Sequence, residues 1–342
     1  MIPCRSASER FLLTALLVVA ACHGTEPGNG SADIPELVFL ERDETNAQWS
    51  VRGQTAEGES LELAPGPHDA PRPSGVTLLV RPTTGELLYA TNLDLGHALL
   101  DPVSGESRGL DLPGRALAWS PRGDRLAAVV DQAVVVITLD GRVHRTICGP
   151  PAICGIPAWT PDGEAVAITR TMAGGKPDIW RVSLAEGGET NLTTTAPASE
   201  TNPAWSPDGA LIAYYQDEDL QLVVADADGG EPRRLFAPIS PGDPAWQASG
   251  EALAARGTLD GELGIIRVPL SGVPRLVTPS GERPEETAGI QWSPSGDRLA
   301  FLTTPTGEPS HPAVVSIRAD GGDRRQVSRP GNAAAHPAWI LQ

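Results

Sequence analysis

The sequence predicts an all-β protein in which the chain after its N-terminal segment forms a single β-propeller of four-stranded blades. Three observations predict this fold. A short motif recurs along the chain, its copies lie 39 to 47 residues apart, and each end of the chain supplies part of one further unit. Four short strands and their turns need about 40–45 residues, which is the length of one propeller blade.

The recurring motif is Ala-Trp-Ser/Thr-Pro-Xaa-Gly. Tryptophan ends an apolar strand and is large enough to fill the wedge between neighbouring blades, while proline fixes the turn and glycine accepts a positive φ. Each copy therefore predicts a first strand, a tight turn and the start of a second strand. The copies lie at residues 118–123, 158–163, 204–209, 245–250 (degraded) and 291–296, with a first copy lacking tryptophan at 80–85 and a half copy at 337–340.

The residues between successive motif copies predict the remaining strands of each blade. An almost uninterrupted apolar segment follows the motif, as at residues 126–130 and 211–215, and is typical of a strand buried on both faces. A third strand then runs into a turn rich in Asp and Gly, as at 222–230 and 315–322, and a fourth strand closes the unit, as at 233–236. The period thus predicts four strands in each blade.

Residues 203–209, Pro-Ala-Trp-Ser-Pro-Asp-Gly, are followed by an apolar strand and by Asp-Gly-Gly-Glu-Pro-Arg-Arg-Leu at 228–235. This series resembles the WD-like repeats of the TolB propeller family, and the resemblance covers essentially the whole chain after the N-terminal segment. It implies a propeller that acts as a protein- or peptide-binding module in the cell envelope. TolB proteins also carry an N-terminal α/β domain, whereas only residues 23–33 precede the first strand here, which argues against a true Tol-Pal role.

The two ends of the chain predict how the ring closes. The N-terminal part of the chain predicts the second, third and fourth strands of a blade, at residues 36–40, 48–52 and 60–63. The C-terminus predicts a first strand at residues 337–341, with no later strands of its own blade after it. We therefore expect the C-terminal strand to join the N-terminal strands, which removes a free sheet edge and gives seven blades. Six blades are the alternative, because TolB itself has six and the copy at 80–85 is degenerate.

The N-terminal segment predicts export and lipidation. Arg5 and Arg10 precede an apolar run at residues 11–21 that is too short to span a bilayer. The run ends in Val-Ala-Ala-Cys, which resembles the lipobox of bacterial lipoproteins and makes Cys22 the expected lipid attachment site. An ordinary secretory signal with a chance cysteine is the alternative.

These assignments divide the chain into three parts. We expect a signal peptide over 1–21, a flexible tether over 22–34 and the propeller over 35–342. The protein would then be anchored by lipid alone, at the periplasmic face of the outer membrane or at the cell surface. A net charge of -17 argues against nucleic acid as a partner.

Two cysteines remain once Cys4 is removed with the signal and Cys22 is lipidated. Cys148 and Cys154 are separated by five residues, and in an oxidising compartment we expect them to form a disulfide. A metal site would need further ligands, and only His144 lies close in sequence.

Motifs for catalysis are weak. Residues 105–109 match G-x-S-x-G but lie in a polar hairpin rather than between a buried strand and a helix. Residues 226–230 begin like a calcium loop, yet Ala237 stands where the bidentate glutamate belongs. We therefore predict no metal, no cofactor and a non-catalytic binding protein. The alternative is a small propeller enzyme, a lyase or a metal-dependent hydrolase, with its site at the central channel.

One set of positions predicts the binding surface. Ile156, Asn202, Asp243 and His336 each precede a Pro-Ala-Trp sequence and lead into an innermost strand. Because equivalent positions of a ring converge, we expect Asn202, Asp243 and His336 at one mouth of the channel, where a partner's loop or peptide binds. Two alternatives stay open: a solvated rim without function, and a metal ion shared by His336 and Asp243.

Overall fold

The computed structural model describes residues 35–43, 45, 48–65, 78–90, 96–185, 188–194, 198–217, 220–237, 242–285, 289–304 and 311–340. The expected signal peptide, Cys22 and the tether lie outside these residues. Strands are the only regular secondary structure in the described part of the chain. Within that part, no helix is long and apolar enough to cross a membrane.

Twenty-eight strands form seven antiparallel four-stranded sheets across the described residues, so the protein has seven blades and not six. Blade 1 consists of β28 (Ala333–Trp339), β1 (Leu37–Asp43), β2 (Gln48–Gln54) and β3 (Ser60–Pro65). Blade 2 consists of β4 (Leu78–Val80), β5 (Leu87–Ala90), β6 (His97–Leu100) and β7 (Ser107–Leu110). Blade 3 consists of β8 (Arg115–Trp119), β9 (Arg125–Val130), β10 (Ala133–Thr138) and β11 (Val143–Cys148).

The remaining four blades follow the same order along the chain. Blade 4 consists of β12 (Ile153–Trp159), β13 (Ala165–Thr171), β14 (Pro177–Ser183) and β15 (Glu189–Asn191). Blade 5 consists of β16 (Glu200–Trp205), β17 (Leu211–Gln216), β18 (Gln221–Asp226) and β19 (Arg233–Phe236). Blade 6 consists of β20 (Ala245–Trp246), β21 (Ala252–Leu259), β22 (Glu262–Pro269) and β23 (Arg275–Leu276). Blade 7 consists of β24 (Gln291–Trp292), β25 (Arg298–Thr303), β26 (Ala313–Arg318) and β27 (Arg325–Gln326).

The C-terminal strand closes the ring. Strand β28 pairs antiparallel with β1, with Trp339 opposite Leu37 and Ala333 opposite Arg42. The first strand of each blade also contacts the first strand of the next, in the order β28, β4, β8, β12, β16, β20, β24 and back to β28. The composite first blade is therefore confirmed, and the seven first strands surround the central channel.

The motif turn is stabilised by a serine or threonine and an aspartate. In blade 5, Ser206 Oγ accepts the N–H of Leu211 at 2.9 Å and donates to Asp208 Oδ1 at 2.6 Å. Gly209, with φ of +72°, donates its N–H to the Ser206 carbonyl at 2.9 Å. The Ser206 hydroxyl and the N–H of Ala210 hold the pKa of the Asp208 carboxyl below its ordinary value.

Four of the six motif tryptophans link neighbouring blades through the indole N–H in the described part of the chain. Trp246 Nε1 donates to the carbonyl of Ala204 at 3.0 Å, and Trp292 Nε1 donates to the carbonyl of Ala245 at 3.0 Å. Each acceptor is the residue just before the tryptophan position of the preceding blade. The indole N–H groups of Trp159 and Trp205 have no partner among the described residues, so what all six tryptophans share is that they fill the wedge between two blades.

The two degenerate motif copies make an equivalent link with longer side chains. Where blades 3, 4, 5 and 7 have serine or threonine, blade 2 has Arg81, whose Nε donates to the Gly123 carbonyl of blade 3 at 2.7 Å. Blade 6 has Gln247, whose Nε2 donates to the Gly296 carbonyl of blade 7 at 2.6 Å. The degenerate copies therefore remain structural members of the ring.

The core lies between blades as well as within them. Tyr215 of blade 5, for example, packs in one cluster with Leu253 and Ile266 of blade 6, and all three are almost fully buried. Burial of such a side chain stabilises the fold by about 1.5–3 kcal/mol. Sheet-to-sheet packing of this kind holds each blade at a fixed angle to the next.

The strand directions define two ends of the channel. Every first strand begins at the same end, which also carries the hairpins between second and third strands and the connections between blades. We call this end the entry face. The other end, the turn face, carries the motif turns and the hairpins between third and fourth strands.

Candidate functional site

Bulges interrupt three innermost strands at the predicted positions on the entry face. The pairing register shifts between Thr201 and Ala204 in β16, and similar shifts occur around Ile156 in β12 and around His336 in β28. The next residue in each case is proline, which has no N–H to donate to a neighbouring strand. Asn202 and His336 take left-handed conformations, with φ of +56° and +51°. A bulge of this kind turns its side chain away from the regular pleat.

The sequence predicts Asn202 and Asp243 at one mouth of the channel, and in the structure their side chains are in direct contact. Asn202 Nδ2 donates to Asp243 Oδ1 at 2.7 Å and also to the carbonyl of Gly242 at 3.2 Å. The backbone N–H of Asn202 donates to Thr169 Oγ1 on β13 at 3.2 Å. These bonds connect blades 4, 5 and 6 at the entry face and fix the orientation of the Asn202 amide.

His336 and Ile156 occupy the equivalent bulges of blades 1 and 4. His336 is exposed on the entry face, and blade 7 lies between its blade and the blade of Asp243. Within the described ranges, no three or more His, Cys, Asp and Glu side chains are grouped so that they could hold a metal ion. The ring thus brings Asn202 and Asp243 together and places His336 two blades from Asp243.

Two buried acidic groups lie beneath this surface. Glu200, at the start of β16, is fully buried and accepts a hydrogen bond from Gln216 Nε2 at 3.2 Å. The Tyr215 ring is 1% exposed, and its hydroxyl has no hydrogen-bond partner among the residues that the structure describes. Burial, together with the negative charge of Asp243, raises the pKa of Tyr215 far above its ordinary value. Both side chains therefore add polarity below the mouth without exposing charge.

Apolar side chains lie next to the polar pair. On blade 4, Ile153 is 74% exposed, Ile156 is 58% exposed and Met172 is 50% exposed. Ile153 pairs with Thr171, the residue just before Met172. Ile156 lies in the bulge opposite Thr169, whose hydroxyl accepts the hydrogen bond from the backbone N–H of Asn202. We call Ile153, Ile156 and Met172 the blade 4 patch. Exposed apolar side chains grouped beside polar groups are typical of protein interaction surfaces.

The structure joins Cys148 and Cys154 by a disulfide next to this patch, with their Cα atoms 5.9 Å apart. Cys148 ends the outermost strand of blade 3, and Cys154 lies in the innermost strand of blade 4. The bridge therefore restrains the connection between blades 3 and 4, residues 149–152, which leads directly into Ile153. Its formation in the cell stays a prediction.

Sequence reasoning found the polar pair but missed several neighbours. Tyr215 lies in an apolar strand and gave no separate signal, and Ile153 and Met172 are ordinary apolar residues until the fold exposes them. The one available signal was their position at strand ends on the entry face. The G-x-S-x-G match falls in the hairpin between β6 and β7, where Ser107 begins a strand.

Comparisons with known proteins identify relatives of three kinds. The model of the family described as the TolB beta propeller domain matches residues 114–341. A Tol-Pal system protein TolB of Anaeromyxobacter dehalogenans (strain 2CP-C) is 31% identical over 116 residues, which are 33% of this chain and 26% of that protein. The uncharacterized peptidase YuxL of Bacillus subtilis (strain 168) is 30% identical over 106 residues, which are 28% of this chain and 16% of that protein.

A solved structure shares the fold over most of both chains. It is an oligogalacturonate lyase in complex with manganese, with a TM-score of 0.61 and 17% identity, covering 86% of this chain and 85% of that chain. At this identity the likeness concerns the fold alone. The two sequence relatives are matched over less than a third of their own length, so their activities do not transfer by the match itself.

Proposed function

The chain belongs to the TolB β-propeller domain family, and from this premise we propose that it is a non-catalytic module that binds a protein or peptide partner in the bacterial cell envelope. The partner binds at the entry face, across the Asn202–Asp243 pair and the blade 4 patch. The observation that supports this proposal most is the hydrogen bond between Asn202 and Asp243 beside three exposed apolar side chains.

The arrangement suits recognition of an extended segment or loop. The blade 4 patch offers apolar contact area, which contributes most of the free energy of association at small interfaces. Asp243 is exposed and offers carboxylate oxygens to a backbone N–H or to a basic side chain. Since Asn202 is held by bonds to three residues, this polar site is preorganised, which lowers the entropic cost of binding.

The overall charge favours a basic partner surface. A net charge of -17 attracts cationic groups over distances of about a Debye length. The exposed carboxylate of Asp243 then gives this attraction a local target. We expect the rate of association to fall as the salt concentration rises.

The proposal also includes a lipid anchor at the N-terminus. Lipidation at Cys22 would tether the propeller to a membrane through residues 22–34, at the periplasmic face of the outer membrane or at the cell surface. Thirteen extended residues reach on the order of 40 Å, so the entry face could meet a partner well clear of the bilayer.

The alternative function is a propeller enzyme with its site at the channel, and the peptidase and lyase among the relatives are the reason to keep it. What supports binding instead is that Asn202 and Asp243 are hydrogen-bonded to each other, and that the exposed groups beside them are apolar. Turnover of peptides or acidic oligosaccharides by the purified full chain, lost in Asp243→Ala, would favour the enzyme.

The experiment is a capture of partners from the native envelope by the lipidated protein, followed by mass spectrometry. The variant Asn202→Ala, Asp243→Ala, His336→Ala should keep the melting temperature and lose the partner that wild type captures. A matched control is Asp140→Ala, Arg142→Ala, Glu251→Ala, which changes three exposed residues of the turn face and the same net charge. Equal capture by both variants and wild type would place the binding surface elsewhere.

A further inference from the structure

A separate cavity of about 760 Å³ opens on the entry face between blades 6 and 7. Its wall includes Arg256 near the end of β21, Leu263 in β22, the segment 281–285 and Thr304 after β25. Neither Asn202 nor Asp243 lines it. The cavity is therefore distinct from the surface to which the proposed partner binds.

Every carboxylate in the wall accepts a hydrogen bond from another residue of the protein. Glu282 accepts two hydrogen bonds from Arg324, Nε to Oε2 at 2.6 Å and Nη2 to Oε1 at 2.9 Å. Glu262 Oε1 accepts from Ser280 Oγ at 2.9 Å, and Glu285 accepts from the Thr304 hydroxyl. The acidic groups of the wall thus have their strongest partners within the protein.

Arg283 differs from these groups. Its side chain is exposed, lines the cavity and forms no ion pair or hydrogen bond with any residue in the described part of the chain. Its backbone is nevertheless fixed, because its carbonyl accepts from Thr303 Oγ1 at 3.0 Å and from the N–H of Thr304 at 3.1 Å. The guanidinium is therefore attached to a fixed backbone, and none of its donors is used by a residue that the structure describes.

The neighbouring backbone is held in the same way. Glu285 donates its N–H to the Leu302 carbonyl at 2.9 Å, and Arg256 Nε donates to the Pro284 carbonyl at 2.8 Å. Segment 283–285 is thereby fastened to blade 7 on one side and to blade 6 on the other. A binding group on such a segment loses little conformational freedom when a ligand arrives.

The charges of the wall select the kind of anion. A free guanidinium offers paired N–H donors that match a carboxylate or a phosphate. The wall carries three glutamates against Arg256 and Arg283, a formal charge of 2 − 3 = −1, which repels a doubly charged phosphate more strongly than a singly charged carboxylate. Leu263 and Pro284 add apolar surface beside the guanidinium, which suits a ligand with an apolar body.

We propose that this cavity is a further binding site, which takes a monocarboxylate ligand with a small apolar body through the guanidinium of Arg283. This site does not depend on the function proposed for the Asn202–Asp243 surface. Loss of either site would leave the other intact.

The test compares N-acetyl-leucine with N-acetyl-leucinamide, which differ only in the carboxylate. Ligand-observed NMR saturation transfer with the folded full chain should show binding of the acid and not of the amide. Arg283→Gln should weaken binding of the acid by about tenfold, because a charge-assisted hydrogen-bonded pair is lost. The control Lys176→Gln removes an exposed cation from another entry-face hairpin and should leave binding unchanged.

Three results would overturn the proposal: no binding of N-acetyl-leucine by wild type, equal binding of acid and amide, or unchanged binding by a folded Arg283→Gln variant. A melting curve of each variant establishes that it is folded. Should Arg283→Gln fail to fold, the comparison of acid and amide on the wild-type protein still decides for or against the site.

Discussion

Glu41 on β1 accepts a hydrogen bond from the backbone N–H of Arg329 at 2.6 Å, although the two residues lie 288 positions apart in sequence. Glu41 is buried, and its Oε2 also lies 3.7 Å from Nε of the buried Arg52. Arg329 comes shortly before the closing strand β28. The contact therefore links the segment that leads into the closing strand β28 to strand β1, its neighbour in the composite blade.

Ring closure should dominate the stability of this protein. We expect Glu41→Gln to lower the free energy of unfolding by on the order of 3 kcal/mol, because it leaves the charge of buried Arg52 less compensated. The matched control is Glu62→Gln, since Glu62 also binds Arg52 but its side chain is 63% exposed, and it should cost less than about 1 kcal/mol. Urea unfolding of the two variants measures the difference, and equal midpoints would disprove the role of Glu41.

Truncation tests the same closure from the other end. Deletion of residues 337–342 removes Trp339, whose Nε1 donates to the Gln291 carbonyl of blade 7 at 3.2 Å, and leaves Leu37 and Val38 of β1 without their partners in the closing strand. We expect a loss of at least about 3–5 kcal/mol, whereas deletion of 341–342 should change little. Thermal unfolding checks this expectation. An unchanged melting temperature in the longer deletion would contradict it.

The fold and the polar pair could be predicted because they follow from local patterns. A period of 39 to 47 residues fixes the blades, and equivalence within a ring predicts Asn202 and Asp243 at one mouth of the channel, although their hydrogen bond could not be predicted. The Glu41–Arg329 bond could not be predicted, since it depends on where two loops meet after closure. The guanidinium of Arg283, which has no partner among the described residues, could not be predicted either, because only the folded structure shows which charges are paired.

The three tyrosines should all resist ionisation in the folded protein. Burial raises the pKa of Tyr89, burial with the Glu200 charge raises the pKa of Tyr214 to about 12, and Tyr215 is raised further. A raised pKa favours the neutral form in the folded state, so stability is unaffected below the ordinary value of 10 and falls as pH rises above it. Ultraviolet titration near pH 11 should therefore show less phenolate in the folded protein than in the unfolded protein. Equal phenolate in the two states, with circular dichroism confirming the folded one, would contradict this.

Cys148 and Cys154 should be oxidised in the exported protein. Closing so short a loop stabilises the fold by at most about 2–3 kcal/mol. Titration of the denatured, unreduced protein with a thiol reagent should find no free thiol at either position, and should find two after reduction. Two reactive thiols before reduction would show that the bridge does not form.

Lipidation should require Cys22. Cells labelled with a clickable palmitate should incorporate label into the wild-type protein and none into Cys22→Ser. Cys4→Ser serves as the matched control, because Cys4 lies in the segment expected to be cleaved, and it should label like wild type. Equal labelling of Cys22→Ser would remove the basis for a lipid anchor.

The most direct test of the central claim locates the partner on the surface of the propeller in cells. A photo-crosslinking amino acid is placed at Ile153 on the entry face or, in a separate variant, at Val273 on the turn face, where the side chains are 74% and 86% exposed. Because both positions are freely accessible, only the location of the partner decides which one reacts. The account predicts a crosslinked partner from position 153 and none from position 273. A partner crosslinked from position 273 and not from position 153 would contradict binding at the entry face.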